Sequence, residues 1–271
     1  MTGEFEPVVD VEESPPMIHP TAMVSPKARL AADVEVGPYT LIANDVEIGA
    51  KTKIGSSCFI DDGARIGAEV HIFHGAVVSG RPQDLKFSGE KTCFHVGDKT
   101  ILREYVTLHR GTAATGQSAV GKNCLLMAYA HVAHDCRLGD NVIMANAVQL
   151  GGHVEIGDWA IIGGGTVVHQ FCKIGSHAMV GGGFRITQDL VPYALAAGYP
   201  LKILGLNKVG LERRGFPKET ITALEKAFRC LFRGKLNTSQ AVEKVRVEFD
   251  SLPEIKTLLD FIAAAERGLI K

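Results

Sequence analysis

Three histidines and one aspartate are spaced so that they could carry proton-transfer chemistry. His131, His134 and Asp135 lie within one short stretch, HVAHD, and His153 follows His134 by nineteen residues. An imidazole ordinarily titrates near neutral pH, and a neighbouring carboxylate can support it as a general base. This pattern predicts a base acting on a hydroxyl group, provided that the fold brings His153 back to His134.

A six-residue repeat provides the fold that must position these side chains. From Ile18 to Ile186, every sixth residue is Ile, Val, Leu or Met except at Asp84, Glu90 and Ala114, and the residue four later is almost always small or β-branched. A period of six is neither the 3.6 of a helix nor the 2 of a strand. It is typical of hexapeptide-repeat β-helices, in which each unit is a short strand and a turn, and stacking buries the apolar sides.

Three hexads are expected to form one triangular coil of eighteen residues, and the series is long enough for roughly nine coils. Glycine often follows the aliphatic residue, where we expect either a positive φ or a close approach of two backbones. None of the ten histidines occupies either inward position, so all should point outward. His134 and His153 are one coil plus one residue apart, which predicts that they are neighbours on the outer surface.

Two stretches interrupt the repeat without changing its phase, at residues 81–93 and 111–118. Insertions in a solenoid become surface loops, and such loops either are merely tolerated or carry function. The first one contains Gln83, Asp84 and Lys86, a polar set suited to a hydroxylated, charged ligand.

The repeat divides the chain into three parts. Residues 1–17 are predicted to be a disordered acidic tail, residues 18–191 a β-helix and residues 192–271 a helical domain. In that last domain, apolar stripes with Pro or Thr at their starts predict helices at about 217–233, 238–250 and 253–269.

Composition excludes several classes of protein. The net charge of −1 argues against a general nucleic-acid-binding protein, and no apolar run approaches the length of a membrane span. Four of the six cysteines occupy the inward position and no CxxC pair is present, which favours reduced core residues in a cytoplasmic protein. A zinc site like that of the γ-class carbonic anhydrases is an alternative use of the histidines. Their spacing does not match that family, so we expect no metal and no other cofactor.

Several runs of residues resemble a known family. They are QDLKFSGE at 83–90, TLHRGT at 107–112, AHVAHDC at 130–136, GGHV at 151–154, VVHQFCKIG at 167–175 and GLERRGF at 210–216. In this order on a hexad background, they are similar to the UDP-N-acetylglucosamine O-acyltransferases that begin lipid A synthesis. The resemblance implies a left-handed parallel β-helix with a C-terminal α-helical domain, assembled as a cytoplasmic homotrimer with sites in the clefts between subunits.

The resemblance also implies the reaction and its residues. A 3-hydroxyacyl chain would pass from acyl carrier protein to the 3-hydroxyl of UDP-N-acetylglucosamine. His134 would act as the base, Asp135 would support it, and the Gly152 N–H would receive the developing oxyanion. The implied substrate contacts are Gln83, Asp84, Lys86, His131 and His153 for the sugar and acyl group, Gly182 for the acyl chain, and His169, Gln170, Asn207 and Arg213 for the nucleotide.

Some alternatives stay open. Gly182 leaves room for a long acyl chain, but Pro200 stands where familiar members have histidine, so the sequence does not decide the chain length. It also does not decide whether the acceptor sugar carries a 3-hydroxyl or a 3-amino group. A related N-acyltransferase would carry an additional N-terminal domain, and a non-catalytic scaffold would have no need of the 83–90 loop. The excess of basic residues between Arg213 and Lys235 suits either an acidic carrier protein or an ordinary solvated helix face.

Overall fold

The structure is a computed structural model that describes residues 17–234, 236–249 and 252–271. The predicted acidic tail lies outside the described residues, except for Met17, and so do Lys235 of the basic segment and Asp250 at the end of a predicted helix. The described chain is a parallel β-helix followed by a small helical region, as the sequence predicts. The handedness of the β-helix stays a prediction.

The described residues contain twenty-eight short strands, of which all but the last pair in parallel, whereas β28 pairs antiparallel with β27. In chain order they are β1 (Met17–Ile18), β2 (Met23–Val24), β3 (Arg29–Leu30), β4 (Glu35–Val36), β5 (Leu41–Ile42), β6 (Glu47–Ile48), β7 (Lys53–Ile54), β8 (Phe59–Ile60), β9 (Ala64–Ile66), β10 (His71–Ile72), β11 (Val77–Gly80), β12 (Cys93–Val96), β13 (Ile101–Leu102), β14 (Thr107–His109), β15 (Gln117–Val120), β16 (Leu125–Leu126), β17 (His131–Val132), β18 (Arg137–Leu138), β19 (Ile143–Met144), β20 (Gln149–Leu150), β21 (Glu155–Ile156), β22 (Ile161–Ile162), β23 (Val167–Val168), β24 (Lys173–Ile174), β25 (Met179–Val180), β26 (Arg185–Ile186), β27 (Ala194–Ala197) and β28 (Lys202–Leu206).

The strands stack into three sheets, one for each side of a triangular prism. Sheet A runs from β1 through every third strand to β25 and then continues through β27 and β28, sheet B runs from β2 to β26, and sheet C from β3 to β24. In the uninterrupted coils, partners in neighbouring strands are eighteen residues apart, as in the pairing of His131 with Gln149. The nine strands of sheet B match the predicted number of coils.

The aliphatic series fills the interior of the prism. Ile60, Leu102 and Ile162 are 0% exposed, and the small side chains of the second inward position are buried with them. Where that position holds threonine, the hydroxyl donates a hydrogen bond to a carbonyl of the next coil, as Thr40 does to Gly55 at 2.7 Å. Ile18 in the first coil is 38% exposed because no described coil covers that end.

The sequence predicts a positive φ or a close backbone approach at the glycine of each turn, and the structure places these two features at different residues. Glycines that follow the aliphatic residue provide close approach: a Cβ on Gly163 would lie 2.4 Å from the Gly182 nitrogen in the next coil. The positive φ falls two residues later, usually on a residue other than glycine, including Asp135 at 60° and His153 at 60°. These residues adopt the left-handed region because their N–H groups bond to the preceding coil, as His153 does to the His134 carbonyl at 3.0 Å.

The helical region packs over the last coils. It contains α1 (Lys208–Arg213), α2 (Lys218–Arg233), α3 (Thr238–Phe249) and α4 (Pro253–Ala263). The sheet extends beyond the predicted boundary at 191, since β27 pairs with β25 in sheet A. None of the described helices is long and apolar enough to cross a membrane.

Helix α4 ends earlier than the apolar stripe predicts. The chain leaves the helix after Ala263, and the N–H groups of Glu266 and Arg267 donate to the buried carboxylate of Asp189 at 3.2 and 3.3 Å. Ile270 then donates its N–H to the Asp189 carbonyl at 3.0 Å. This clamp fixes the end of the chain on the last coil, a long-range contact that no helical period reveals.

Candidate active site

The candidate site lies at the edge where sheet B turns into sheet C, here called the B–C corner. The corner is formed by the turns at 133–136, 151–154 and 169–172, which stack on one another. Both interruptions of the repeat open at this same edge, as loop 81–92 between β11 and β12 and loop 110–116 between β14 and β15. Successive coils are about 4.8 Å apart, so side chains from neighbouring turns are within reach of each other.

His134 and Asp135 form a hydrogen-bonded pair at this corner. Nδ1 of His134 lies 2.8 Å from Oδ2 of Asp135. The Asp135 side chain is 0% exposed, whereas the imidazole of His134 keeps 15% of its surface exposed. The carboxylate is therefore enclosed behind an imidazole that still faces outward.

The coil after this one brings His153 and Gly152 beside the pair. The rings of His134 and His153 are 5.3 Å apart and perpendicular, and Nε2 of His153 is 3.5 Å from Oδ2 of Asp135. The backbone of Gly152 passes directly under the His134 ring, since a Cβ built on Gly152 would lie 2.7 Å from Nε2. Stacking of two turns thus assembles the predicted histidine pair.

Asp135 is surrounded by hydrogen-bond donors. Oδ1 accepts from the Thr112 N–H at 3.0 Å and from the Thr115 hydroxyl, and Oδ2 accepts from the Thr112 hydroxyl at 2.8 Å. Burial opposes ionisation of this carboxyl, but the hydrogen bonds from Thr115, His134 and Thr112 outweigh burial and lower the pKa of Asp135 to about 2. Asp135 is consequently an anion at neutral pH.

The charge of Asp135 determines the tautomer of His134. An ionised carboxylate can only accept a hydrogen bond, so the hydrogen between the two groups belongs to Nδ1 of the imidazole. In the neutral ring, Nε2 then carries the free lone pair. That lone pair is what a general base needs, and any imidazolium formed would be stabilised by Asp135.

The Gly152 N–H completes the arrangement. At the same position of the hexad in turns between sheets C and A, the N–H groups of Lys122 and Asp140 donate to carboxylates of the next coil at 2.7 and 2.8 Å. Within the described residues, the Gly152 N–H has no such acceptor. It is a donor beside Nε2 of His134, suited to an oxyanion that forms next to the base.

His131 lies three residues before His134, in β17, and is held by its own partners. Its Nδ1 is 2.7 Å from the Thr107 hydroxyl, and its ring meets the edge of the His109 ring at 4.9 Å. Burial lowers the pKa of His131, and burial together with neighbouring histidines lowers the pKa of His109 to about 4. Both rings are therefore neutral at pH 7 and extend the polar surface below His134.

Loop 81–92 bounds the lower end of this surface. Gln83 and His109 line one cavity of about 600 Å³ together with Arg110, whose guanidinium bonds to Asp61 at 3.0 Å and lies 5.8 Å from the Phe87 ring. Asp84 and Lys86 bond to each other within the loop, through the Lys86 N–H at 2.9 Å. Among the described residues, no hydrogen bond joins either of them to His134.

His169 and Gln170 lie one coil above Gly152 at the same corner. The Gln170 backbone packs on Gly151, where an added Cβ would lie 2.8 Å from the Gln170 nitrogen. The clamped chain end reaches this turn, since Arg267 approaches Nδ1 of His169 to 3.3 Å. Most of the predicted site residues therefore share one edge of the prism.

Three of the predicted site residues lie elsewhere. Gly182 is at the corner between sheets A and B, against Gly164. Asn207 and Arg213 are on the side of the third corner, where the Asn207 amide donates to the His177 carbonyl at 2.9 Å and accepts the Gly210 N–H. A single subunit thus does not bring these three residues to His134.

Known proteins share this sequence pattern over most of its length. An acyl-(acyl-carrier-protein)–UDP-N-acetylglucosamine O-acyltransferase from Trichlorobacter lovleyi is 52% identical over 259 residues, covering 94% of this chain and 99% of that relative. The chain belongs to the acyl-(acyl-carrier-protein)–UDP-N-acetylglucosamine O-acyltransferase family. A second member, from Thermodesulfovibrio yellowstonii, is 44% identical with the same coverage.

Solved structures support membership of the O-acyltransferase family. The UDP-N-acetylglucosamine acyltransferase of Bacteroides fragilis superposes with a TM-score of 0.93 at 43% identity, covering 94% of this chain and 100% of that chain. The corresponding Acinetobacter baumannii protein gives a TM-score of 0.91 at 41% identity with the same coverage. Residues 189–270 match the family model for domain 2 of UDP N-acetylglucosamine O-acyltransferase, and residues 118–152 match the bacterial transferase hexapeptide model.

Three side chains at the B–C corner could also be considered as metal ligands. Ligand atoms of His134, Asp135 and His153 all lie within 4.8 Å of one another. However, the Asp135 carboxylate already accepts four hydrogen bonds, one of them from Nδ1 of His134, so a metal would have to displace these donors. The donor set fits an oriented imidazole better than a metal centre.

This interpretation predicts metal-independent turnover. Dialysis against a strong chelator should leave the rate of acyl transfer unchanged, because no step of general-base catalysis needs a Lewis acid. Parallel samples with added Zn²⁺ serve as controls for inhibition by excess metal. A chelator-treated protein that loses its rate and regains it with Zn²⁺ would contradict the interpretation.

Sequence reasoning missed some residues of this corner. His109 and Thr107 support His131, and Thr112 and Thr115 bond to Asp135. His109 carried a signal, since it is a histidine outside both inward positions of the repeat and lies two residues after Thr107, the strand partner of His131 in sheet B. The threonines carried none, because their role depends on the conformation of an irregular loop.

Proposed function

We propose that this chain transfers a 3-hydroxyacyl group from acyl carrier protein to the 3-hydroxyl of UDP-N-acetylglucosamine, the first step of lipid A synthesis. The family membership supports the substrates, since the relatives are named for this acyl transfer. The observation that carries the chemistry is the pairing of His134 with the buried anion of Asp135 beside the backbone N–H of Gly152.

The residues support a two-stage acyl transfer. Nε2 of His134 takes the proton of the sugar hydroxyl while its oxygen attacks the thioester carbonyl, and the Gly152 N–H donates to the oxyanion of the tetrahedral intermediate. Collapse of the intermediate breaks the carbon–sulfur bond. The thiolate of the carrier then receives the proton back from the His134 imidazolium, and Asp135 stays ionised throughout.

We further propose that the active form is a homotrimer with a site in each cleft between subunits. Gly182, Asn207 and Arg213 lie at corners of the prism other than the one that holds His134. If these residues contact the acyl chain and nucleotide, another subunit must supply them. The site is therefore incomplete in one chain.

The cysteines support a cytoplasmic location for this chain. All six cysteines are free, and Cys124, Cys136 and Cys172 are buried in the prism. Burial raises the pKa of Cys136 to about 12 and those of Cys124 and Cys172 to about 11, so they are unreactive core side chains.

The test is an assay of the purified protein with UDP-N-acetylglucosamine and 3-hydroxyacyl carrier proteins of graded chain length. We expect a UDP-sugar product acylated at its 3-position, with one preferred length. A parallel reaction with the 3-amino sugar nucleotide decides between oxygen and nitrogen acceptors. No acylated UDP-sugar with any donor would contradict the proposal.

The surface of α2 is proposed to meet the acidic carrier protein. Lys218, Lys226 and Arg229 are exposed there, as is Arg213 at the end of α1. Arg229 borders a groove of about 230 Å³ between α2 and β28. Arg233 also lines this groove, but its guanidinium bonds to the Leu204 carbonyl, so Arg229 is the cleaner position to change.

Arg229→Glu should lower kcat/KM for the carrier-bound donor by about 10-fold at low salt, because complementary charge accelerates such encounters. The difference should shrink as salt is added, and a short acyl-pantetheine donor should react normally. Lys244→Glu on the exposed surface of α3 provides the matched control. Equal rates for Arg229→Glu and wild type with the carrier would remove α2 from the docking surface.

A further inference from the structure

Loop 110–116 places two hydroxyl groups on the carboxylate behind the base. Thr112 donates its N–H to one oxygen of Asp135 and its hydroxyl to the other, and the Thr115 hydroxyl also reaches Oδ1. The residues are 20 and 23 positions away in sequence from Asp135. An insertion in the repeat therefore makes most of the contacts of one buried side chain.

The loop is itself fixed in this conformation. Its turn closes through the Gly116 N–H and the Thr112 carbonyl at 2.8 Å, and the Glu90 carboxylate of the other loop accepts the Ala113 N–H at 3.1 Å. Ser118, just after the loop, accepts the Asp135 N–H at 2.7 Å. These bonds hold the hydroxyls against Asp135 before any substrate binds.

The contacts matter because Asp135 has two imidazoles within reach. Oδ2 is 2.8 Å from Nδ1 of His134 and 3.5 Å from Nε2 of His153. A carboxylate free to rotate could exchange one partner for the other. With donors fixed on both oxygens, the plane of the carboxylate is fixed, and the bond to His134 is kept.

We propose that Thr112 and Thr115 are positioning residues that keep the Asp135 carboxylate ionised and directed at Nδ1 of His134. The inference rests on the proposed role of His134 as the base. Loop 110–116 is then part of the catalytic apparatus, although neither threonine needs to touch a substrate.

Thr115→Val removes one hydroxyl and keeps the shape of the side chain. Since hydrogen bonds to charged groups contribute more than neutral ones, we expect kcat to fall by about 10-fold while KM for UDP-N-acetylglucosamine stays unchanged. Thr115→Ser keeps the hydroxyl and should restore most of the rate. Thr92→Val is the matched control, because the buried Thr92 hydroxyl has no hydrogen-bond partner within the described residues.

A double-mutant cycle separates positioning from general damage. If Thr115 acts through the charge of Asp135, Thr115→Val should change kcat little in an Asp135→Asn background. An equal loss of rate in both backgrounds, or a wild-type rate for Thr115→Val alone, would overturn the proposal.

A second readout does not depend on turnover. The lowered pKa of Asp135, about 2 against an ordinary 3.8, stabilises the folded chain above about pH 4, and this contribution is lost as the pH falls through 2. Thr115→Val raises that pKa, so its unfolding temperature should be below wild type at pH 7 and should approach wild type only as the pH falls to about 2. A deficit that is the same at both pH values would overturn the proposal.

The turnover and unfolding measurements together distinguish the failure of this inference from the failure of the proposed function. A wild-type chain without acyl transfer removes the proposed function, and the pH dependence of unfolding then still decides whether the threonines hold an ionised Asp135. An active wild type with an inactive His134→Ala and a normal Thr115→Val removes this inference alone.

Discussion

His134→Ala should lower kcat for acyl transfer by about 10³-fold, the range expected for loss of a positioned general base. The variant removes the only group at the B–C corner whose Nε2 lone pair is fixed by a hydrogen-bonded carboxylate, within the residues that the structure describes. The Gly152 N–H and the bound substrates remain, so a residual rate above the uncatalysed reaction is expected.

The measurement is steady-state turnover with carrier-bound donor, together with binding of UDP-N-acetylglucosamine to the same preparation. His71→Ala is the matched control, because His71 is an exposed histidine on sheet A, away from this corner. Both variants should elute and unfold like the wild type. Turnover of His134→Ala within a few-fold of His71→Ala would mean that another group takes the proton.

Gly152→Ala should lower kcat by about 10²-fold, comparable to the loss of an oxyanion donor. The added Cβ would lie 2.6 Å from Cε1 and 2.7 Å from Nε2 of His134, closer than real Cβ atoms come to any neighbour. Because the backbone is held by the Phe171 N–H at 3.1 Å, the imidazole is the group that must move.

The effect should appear in kcat and not in the fold. The φ of Gly152 is not in the left-handed region that favours glycine, so alanine can adopt the backbone conformation of the turn. We therefore expect an unfolding temperature close to that of wild type. A variant with full turnover would show that the position of the His134 ring does not matter for the reaction.

The fold and the histidine pair were predictable because both follow from a period. An aliphatic residue every six positions determines which side chains face inward, and an eighteen-residue coil places His153 beside His134 without any further information. The same arithmetic placed His131 on the same coil as His134. Stacking thus converts a spacing in sequence into a distance in space.

The contacts of Asp135 with Thr112 and Thr115 were not predictable, since a loop without a repeat has no register. The end of α4 at Ala263 was missed for a related reason: its apolar stripe continues to Leu269, but the Asp189 carboxylate competes for the N–H groups of Glu266 and Arg267. Such contacts depend on residues far apart in sequence.

The distribution of the implied nucleotide residues also could not be judged from the sequence. Asn207 and Arg213 follow the repeat, where the eighteen-residue arithmetic no longer applies. The structure shows the Asn207 amide engaged with the His177 carbonyl and the Gly210 N–H. Its contribution to a nucleotide site would therefore be to hold α1, and the exposed Arg213 is the better candidate for a phosphate contact.

The most direct test is a crystal structure of the protein with UDP-N-acetylglucosamine bound. We predict that the sugar lies in a cleft between two subunits, with its 3-hydroxyl oxygen within hydrogen-bonding distance of Nε2 of His134. Asp135 should remain bonded to Nδ1 of the same ring. A bound sugar whose 3-hydroxyl faces a different side chain, away from the B–C corner, would contradict the assignment of His134 as the base.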